Sequence, residues 1–230
     1  MSKLFDDASL AMIPSAYKDG KLYSIRPTDG SGDFTFSRGS NLAATRVDVN
    51  GLIEKGRENL LTYSNDFSQW TFGGVTRTGG QSGYDGSNNA WLITATNVSG
   101  VNVNQIVNTS EVKTYSIYAK AGTTNWIRMS FNDTGINSRA WFDLTNGVVG
   151  TIIGNVIDTE ITSLGSGWYR CSISVNLSVN SSSLYLFVVD GNGLTSASVG
   201  DSVYIQDAQL ELGLAATDYI ESGATTGKAG

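Results

Sequence analysis

Residues 126–145 read WIRMSFNDTGINSRAWFDLT, and this stretch decides the fold class. It holds two runs in which apolar and polar residues alternate, WIRMSF and RAWFDL, separated by a segment rich in Asn, Asp and Gly. Alternation with a period of two is typical of a β-strand with one face in a core, and Asn, Asp and Gly favour the turn between strands. The stretch therefore predicts two β-strands joined by a turn.

Further segments with strand character lie on both sides of this pair. They are NAWLITAT, VNVNQIV, TYSIYAKA, VVGTIIG, GWYRCSISVNLSV, SLYLFVVDG and SVYIQDAQLELG. Turn-rich gaps separate many of them, and none has a convincing helical period. Short strands without helices indicate an antiparallel sandwich or jelly roll. We expect an all-β fold with a jelly-roll β-sandwich over residues 58–222 and a flexible tail at 223–230.

The composition supports this fold and excludes several functions. The 230 residues include 27 glycines and only 16% charged residues, which suits short strands and tight turns. The net charge of −6 argues against binding to nucleic acid. The chain has no histidine and one cysteine, Cys171, which excludes a Ser/His triad, a Cys/His pair and a zinc site. No run approaches the roughly 18 apolar residues of a membrane span, so we expect no membrane insertion.

Residues 1–57 differ from the rest of the chain in the length and polarity of their strand-like segments. They contain short β-like pieces, KLYSI, DFTFS, TRVDV and GLIE, separated by Gly, Pro and Asp turns. These pieces are too short and polar to make a core of their own. We therefore predict an extended N-terminal attachment arm that pairs with the following domain or with a neighbouring subunit.

Residues 34–70, FTFSRGSNLAATRVDVNGLIEKGRENLLTYSNDFSQW, resemble a segment common in tail and fibre proteins of tailed bacteriophages. The later segments TYSIYAKAG, GWYRCSISV and YIQDAQLELG are similar to strands of the carbohydrate-binding-module-like jelly rolls of such proteins. The resemblance covers about residues 9–222. Many relatives carry a Pro-Arg-Leu-Asp-Tyr stretch between GLIE and NLL, and this chain lacks it.

The resemblance implies a non-enzymatic structural protein of the virion, assembled in the host cytoplasm. One role is attachment in the tail or its fibres, with recognition of a host-surface glycan. The alternative is a capsid decoration or head-fibre (cement) protein that binds no sugar. The expected partners are other virion proteins and further copies of the chain, with a trimer as the first expectation.

Three strands each place a tryptophan and an arginine two residues apart on the face that points away from the predicted core. They are Trp126 and Arg128, Arg139 and Trp141, and Trp168 and Arg170. Such a face can stack on and hydrogen-bond sugar rings, or it can form a contact between subunits. It can also be covered by the arm or by the domain itself. The sequence leaves these alternatives open.

Carboxylates suggest a metal site and argue against catalysis. By the resemblance, Asp66 and Asp207 are the positions that would hold a structural Ca²⁺ between the first and last strands. The other interpretation is that both are turn or cap residues with no metal. Paired acids could also hydrolyse a glycosidic bond, but no spacing pairs Asp133, Asp143, Asp158, Glu160 or Asp190. We therefore expect no enzymatic activity.

Overall fold

The computed structural model describes residues 10–18, 21–35, 45–47, 53–107, 110–133, 136–177 and 182–228. Contacts divide the chain into two compact units. One is Met1–Arg57 with Lys228–Gly230, and the other is Glu58–Gly227. Within the described part of the chain, no helix has the length and apolar character that a membrane span requires.

In the N-terminal unit, the short strands pair with one another. Strands β1 (Ala11–Lys18), β2 (Lys21–Arg26) and β3 (Phe34–Thr35) form a three-stranded antiparallel sheet. Strands β4 (Thr45–Val47) and β5 (Ile53–Lys55) form a separate antiparallel pair. The sequence indicated β2 to β5 but not β1. The Asn50-Gly51 pair is a hairpin signal that predicts the pairing of β4 with β5, whereas the three-stranded sheet was not predicted, because alternation does not identify the partner of a strand.

The second unit is a sandwich of two six-stranded sheets. Sheet A has the order β14-β13-β12-β17-β10-β7, and its neighbouring strands are antiparallel. Its strands are β7 (Thr71–Gly73), β10 (Asn102–Val107), β12 (Trp126–Asp133), β13 (Ile136–Asp143), β14 (Val148–Ile153) and β17 (Ser182–Val189). The quoted stretch of residues 126–145 forms the antiparallel pair β12–β13, as predicted.

Sheet B has the order β15-β16-β11-β18-β9-β8 and is also antiparallel. Its strands are β8 (Val75–Gln81), β9 (Ala90–Ala95), β11 (Glu111–Ala121), β15 (Val156–Gly165), β16 (Trp168–Leu177) and β18 (Ser202–Leu212). Short strands β6 (Glu58–Asn59) and β19 (Gly227–Lys228) lie before and after the two sheets in the chain. The predicted all-β jelly-roll sandwich is confirmed.

The inner faces of the two sheets form one hydrophobic core. Ile127, Met129 and Phe131 of β12 point into it, as the alternation predicts, and all are fully buried. Tyr115 of sheet B packs edge-on against Phe131 of sheet A, with ring centroids 6.1 Å apart. Cys171 is buried and unpaired, and burial raises the pKa of its thiol far above the usual value. It is the small buried hydrophobe that its strand position suggests.

The alternation pattern does not predict β7, β8 or β15. Strand β8 contains two adjacent glycines, which in a sequence indicate a turn. Gly79 packs closely there, since a Cβ would lie 3.1 Å from the Trp91 ring. Strand β15 is an edge strand whose side chains are mostly exposed and whose register shifts twice, so apolar and polar residues do not alternate regularly along it.

The buried Asn59 side chain joins the start of the sandwich to its last strand. Its amide nitrogen donates to the carbonyls of Ala208 and Ile220, both at 2.9 Å. Its side-chain oxygen accepts the backbone N–H groups of Leu61 and Leu210. A side chain that satisfies four backbone groups of separate segments fixes the position of those segments.

Two residues of the predicted flexible tail at 223–230 form hydrogen bonds with the start of the sandwich. The Gly223 carbonyl accepts the backbone N–H of Tyr63 at 2.7 Å. The Thr226 hydroxyl donates to the Glu58 carboxylate at 2.7 Å. Composition indicated flexibility, but backbone and hydroxyl groups bind the start of the sandwich regardless of side-chain hydrophobicity.

Candidate functional site

The outer surface of sheet A carries two rows of side chains across three neighbouring strands. In the first row, Arg128 of β12 lies opposite Trp141 of β13 and opposite Phe187 of β17. In the second row, Ser130 of β12 lies between Arg139 of β13 and Tyr185 of β17. We call these six residues the sheet A face. Their outward direction follows from the alternation that sends Ile127, Met129 and Phe131 inward.

Aromatic rings surround the arginines of the sheet A face. The Arg128 guanidinium carbon lies 3.7 Å from the Phe187 ring centroid and 5.6 Å from that of Trp141. Arg139 lies 5.8 Å from the same Trp141 ring. Tyr185 and Phe187 stack with centroids 5.4 Å apart and an interplanar angle of 27°. Arginine over aromatic faces is a favourable cation–π arrangement, which holds both guanidinium groups in place.

Polar groups of the sheet A face lack hydrogen-bond partners. Arg128 is only 6% exposed and Ser130 only 4%. The Nε atoms of Arg128 and Arg139 and the hydroxyl of Ser130 are buried without a hydrogen-bond partner. Burial, and to a lesser extent the charge of Arg139, lower the pKa of Arg128 to about 10. Arg128 therefore stays charged at neutral pH, next to a second cation.

One of the two predicted tryptophans of sheet A is covered by the sandwich itself. Trp141 is fully buried, and its indole N–H donates to the Leu194 carbonyl at 2.7 Å. Leu194 belongs to the loop of residues 190–201, which precedes β18. Trp126 is half-buried at the start of β12, opposite Asp143. Trp141 thus follows the third of the interpretations left open by the sequence, packing within the domain.

Trp168 and Arg170 belong to β16 of sheet B, so they lie on the opposite side of the sandwich. Trp168 is buried with Tyr118 in a small aromatic cluster. Arg170 donates to the carbonyls of Ala216 and Thr217 in the segment that follows β18. The six predicted residues therefore do not form one surface. Alternation gives the face of each strand, but it cannot assign a strand to a sheet.

Tyr185 and Phe187 were not among the residues predicted from the sequence, although the signal for them was present. In SLYLFVV the leucines alternate with these two aromatic residues. Leu184 and Leu186 are buried in the core, which turns Tyr185 and Phe187 outward. The same rule that selected the Trp/Arg pairs would have found them. Asn104, opposite Tyr185 on β10, extends this row of the sheet.

Asp66 and Asp207 have separate environments. The Asp66 carboxylate caps a short 3-10 turn and accepts the backbone N–H of Ser68 at 3.0 Å. Asp207 is 3% exposed, has a φ of +50° and accepts the Tyr84 hydroxyl at 2.9 Å. Burial is the main cause that raises the pKa of Asp207 to about 6. Asp66 therefore behaves as the cap that the sequence offered as its second interpretation.

Asn65, and not Asp66, is the residue that the structure brings to Asp207. One terminal atom of the Asn65 amide lies 3.3 Å from both the Asn89 carbonyl and Asp207 Oδ1. Because both neighbours are acceptors, this atom is the amide nitrogen, which donates to both and is not a ligand for a cation. Calcium takes about six to eight oxygens. Among the described residues, no group of three His, Cys, Asp or Glu side chains is placed to hold a metal. Calcium stays a prediction.

Two acids that the sequence did not pair are brought together by the loop after β17. The Ser198 N–H donates to Asp190 at 2.9 Å and to Asp201 at 2.8 Å. Hydrogen bonds lower the pKa of Asp190, whereas burial raises the pKa of Asp201. Glycosidases hold their two carboxyl groups about 5–10 Å apart across a substrate. Asp190 and Asp201 accept the same N–H and hydrogen-bond to each other, so they leave no room for a substrate between them.

No protein-family model matches the sequence, and no curated protein matches it. Some solved structures are similar at low sequence identity. TmCBM61, solved with β-1,4-galactotriose, is 13% identical with a TM-score of 0.39, over 66% of this chain and 97% of that chain. The CBM22-1 xylan-binding domain of Paenibacillus barcinonensis Xyn10C is 19% identical with a TM-score of 0.42, over 71% and 99%. The enzymatically active domain of tailspike protein 4 from bacteriophage CBA120 is 13% identical with a TM-score of 0.38, over 66% and 21%. These similarities are too low to assign a ligand to this chain.

Proposed function

We propose that this chain is a non-enzymatic attachment module of a phage tail or tail fibre that binds a glycan with the sheet A face. The observation that carries the proposal is the stacked pair of Tyr185 and Phe187 beside unpartnered Arg139 and Ser130. A small-molecule site combines aromatic surface with a few placed polar groups. Sugars need both, since their rings have apolar faces and their hydroxyls need hydrogen-bond partners.

The virion role is supported by the sequence resemblance of residues 34–70 to phage tail and fibre proteins. In this proposal the N-terminal unit attaches the sandwich to other virion proteins, and the sandwich faces the host. The chain would then be located in the virion after assembly in the host cytoplasm. Reconstruction of the particle by cryo-electron microscopy tests the location, and density on the capsid would contradict it.

The hydrogen bonds of the acidic residues support a non-enzymatic role. Asp143 accepts hydrogen bonds from Thr145 and Asn146 in its own turn. Asp190 and Asp201 bond to the same amide. The sequence has no histidine to serve as a general base. Incubation with the bound glycan, followed by chromatography of the products, should show no cleavage.

Glycan binding can be tested on an array with a matched pair of variants. Tyr185→Ala removes one ring of the sheet A face. Phe72→Ala removes a ring that is 50% exposed on the same sheet. Phe72 pairs with buried Val103, so it points to the opposite side of sheet A. We expect Tyr185→Ala to weaken binding about tenfold, equivalent to about 1.4 kcal/mol, and Phe72→Ala to leave it unchanged. Equal effects, or no glycan bound by the wild type, would contradict the proposal.

A second candidate is the capsid decoration protein, acting through contacts between copies. The edge strands β14 and β15 expose several large apolar side chains. These are Val148 (48% exposed), Ile152 (48%), Ile153 (42%), Ile157 (49%) and Leu164 (45%). An exposed apolar edge strand is prone to pair with another chain. Light scattering should show an oligomer, with a trimer expected, and Ile157→Lys should reduce it to monomers if this edge is the contact.

A further inference from the structure

The sheet A face has an excess of positive charge that the sandwich does not neutralise. Arg128 and Arg139 lie on adjacent strands, and both are within 6 Å of the Trp141 ring centroid. Neither makes an ion pair or hydrogen bond with any residue that the structure describes. Removal of a charge from water costs several kcal/mol unless a partner compensates it. An arginine that is 94% buried (6% exposed) and unpartnered points to an anion supplied from outside.

The nearest acid along the same strand cannot supply that anion. Asp143 lies two residues after Trp141, and its carboxylate accepts hydrogen bonds from Asn125, Thr145 and Asn146. Burial raises the pKa of Asp143, but these bonds outweigh it, so they hold the pKa below its usual value and bind the carboxylate to its own turn. Asp143 is therefore not available to pair with Arg128 or Arg139.

We propose that the sheet A face recognises an acidic sugar, with the carboxylate of a hexuronic acid bound by Arg139 above the buried charge of Arg128. This inference rests on the proposed glycan-binding function and names the class of glycan. Arg139 is half-buried, so an incoming ligand meets it first. Arginine binds carboxylate through two parallel N–H donors, which suits a planar acid better than a hydroxyl. Arg128 lies deeper and strengthens the interaction through its field in a region of low dielectric.

The aromatic pair favours a sugar acid over the acidic side chain of a protein. Tyr185 and Phe187 present two stacked rings next to the arginines, and both are half-buried. A sugar ring can cover these rings while its carboxylate reaches Arg139, whereas an aspartate or glutamate side chain has no ring to do so. The net charge of −6 means that general electrostatic attraction does not draw acidic glycans to this protein. Binding must then depend on this local pair of cations.

The test uses the full chain and two probes that differ only in charge, tetragalacturonate and its fully methyl-esterified form. We expect tetragalacturonate to bind at least tenfold more tightly by calorimetry, with an affinity that falls at high salt. Arg139→Gln should abolish the difference between the probes. Lys120→Gln, which removes one positive charge from sheet B, is the matched control and should preserve the difference.

Two variants of Arg128 separate an effect of its charge from an effect of misfolding. Arg128→Lys keeps the charge and Arg128→Met removes it at similar size. We expect the first to retain most of the preference for the acidic probe and the second to lose it. Because Arg128→Met removes an unpaired buried cation, its midpoint of urea unfolding should not fall below that of the wild type.

The outcomes separate this inference from the proposed function. Equal affinity for the two probes, or a preference that survives Arg139→Gln, would overturn the acidic-sugar inference. Binding of neutral array glycans only, with an effect of Tyr185→Ala, would overturn the inference and leave the proposed function standing. Binding of no glycan would overturn both. Loss of self-association in Arg139→Gln without any glycan binding would assign the sheet A face to contact between copies.

Discussion

Replacement of Asp207 by asparagine should stabilise the sandwich at neutral pH. An aspartate in an unfolded chain titrates near pH 3.9. In the folded protein the pKa of Asp207 is raised to about 6, chiefly because the carboxylate is buried, and also by the charges of Asp85 and Glu221. Hydrogen bonds from Tyr84 and Gln206 oppose this shift. Between about pH 4 and pH 6 the folded state therefore holds a proton that the unfolded state has released, and above pH 6 the folded state carries a buried charge.

The direction of the pH dependence follows from this difference. Stability from the protonated Asp207 is fully present below pH 4 and is lost as the pH rises through about 6. A shift of about 2 pKa units corresponds to about 3 kcal/mol over the whole range. Between pH 5 and pH 7.5 the loss should be about 1.4 kcal/mol. Asparagine cannot ionise, accepts the hydrogen bond from Tyr84 and tolerates the φ of +50° at this position.

Urea unfolding in EDTA at pH 5, 6 and 7.5 measures the effect. Wild-type stability should fall across this range relative to Asp207→Asn, and the variant should be the more stable protein at pH 7.5. The pKa of Asp201 is also raised, so the difference between the two proteins is the informative quantity. Glu160→Gln, at an exposed position on β15, is the control and should follow the wild type. Parallel profiles, or a less stable variant at pH 7.5, would refute the reasoning.

Four further changes have outcomes that the structure predicts. If the predicted calcium site exists, millimolar Ca²⁺ should raise the melting temperature of the wild type at pH 7.5 and not that of Asp207→Asn; no rise would contradict the calcium prediction. Asn59→Ala leaves four buried backbone groups without their partner, so the free energy of unfolding should fall by about 2–4 kcal/mol in urea titrations. Trp141→Phe removes the hydrogen bond to Leu194 and should cost about 1–3 kcal/mol, with faster amide exchange in the loop of residues 190–201 as its signature. Deletion of residues 1–57 should leave a folded sandwich by circular dichroism that no longer joins the particle, and an unfolded product would show that the N-terminal unit completes the core.

The period-two pattern predicted the strands of the core because burial on one side acts on every second residue. It placed Ile127 inward and Trp141 outward, as the structure has them. It did not predict that Trp141 is buried on its outward side, since that depends on a loop about 50 residues later in the chain. The assignment of Trp168 to the other sheet depends on strand order, which is equally non-local.

The arginines of the sheet A face illustrate the same limit. The sequence identified Arg128 and Arg139 by their spacing from tryptophan, which depends only on neighbouring residues. It could not show that both lack a carboxylate partner, because ion pairs form between residues distant in the chain. The Asp207 environment is a similar case. Its raised pKa comes from burial and from the charge of residues such as Asp85, which lies more than 100 positions away in the chain.

The hydrogen bonds that join Tyr63 and Ser64 to Gly223 and Ser222 also determine how the sandwich responds to force. They bring the beginning and the end of the sandwich side by side. A force that pulls these two ends apart breaks the hydrogen bonds between them one after another. It does not load all the hydrogen bonds of the large sheets at once. The two ends of the sandwich should therefore separate at low force. A force applied across the two sheets would be resisted by the whole hydrophobic core.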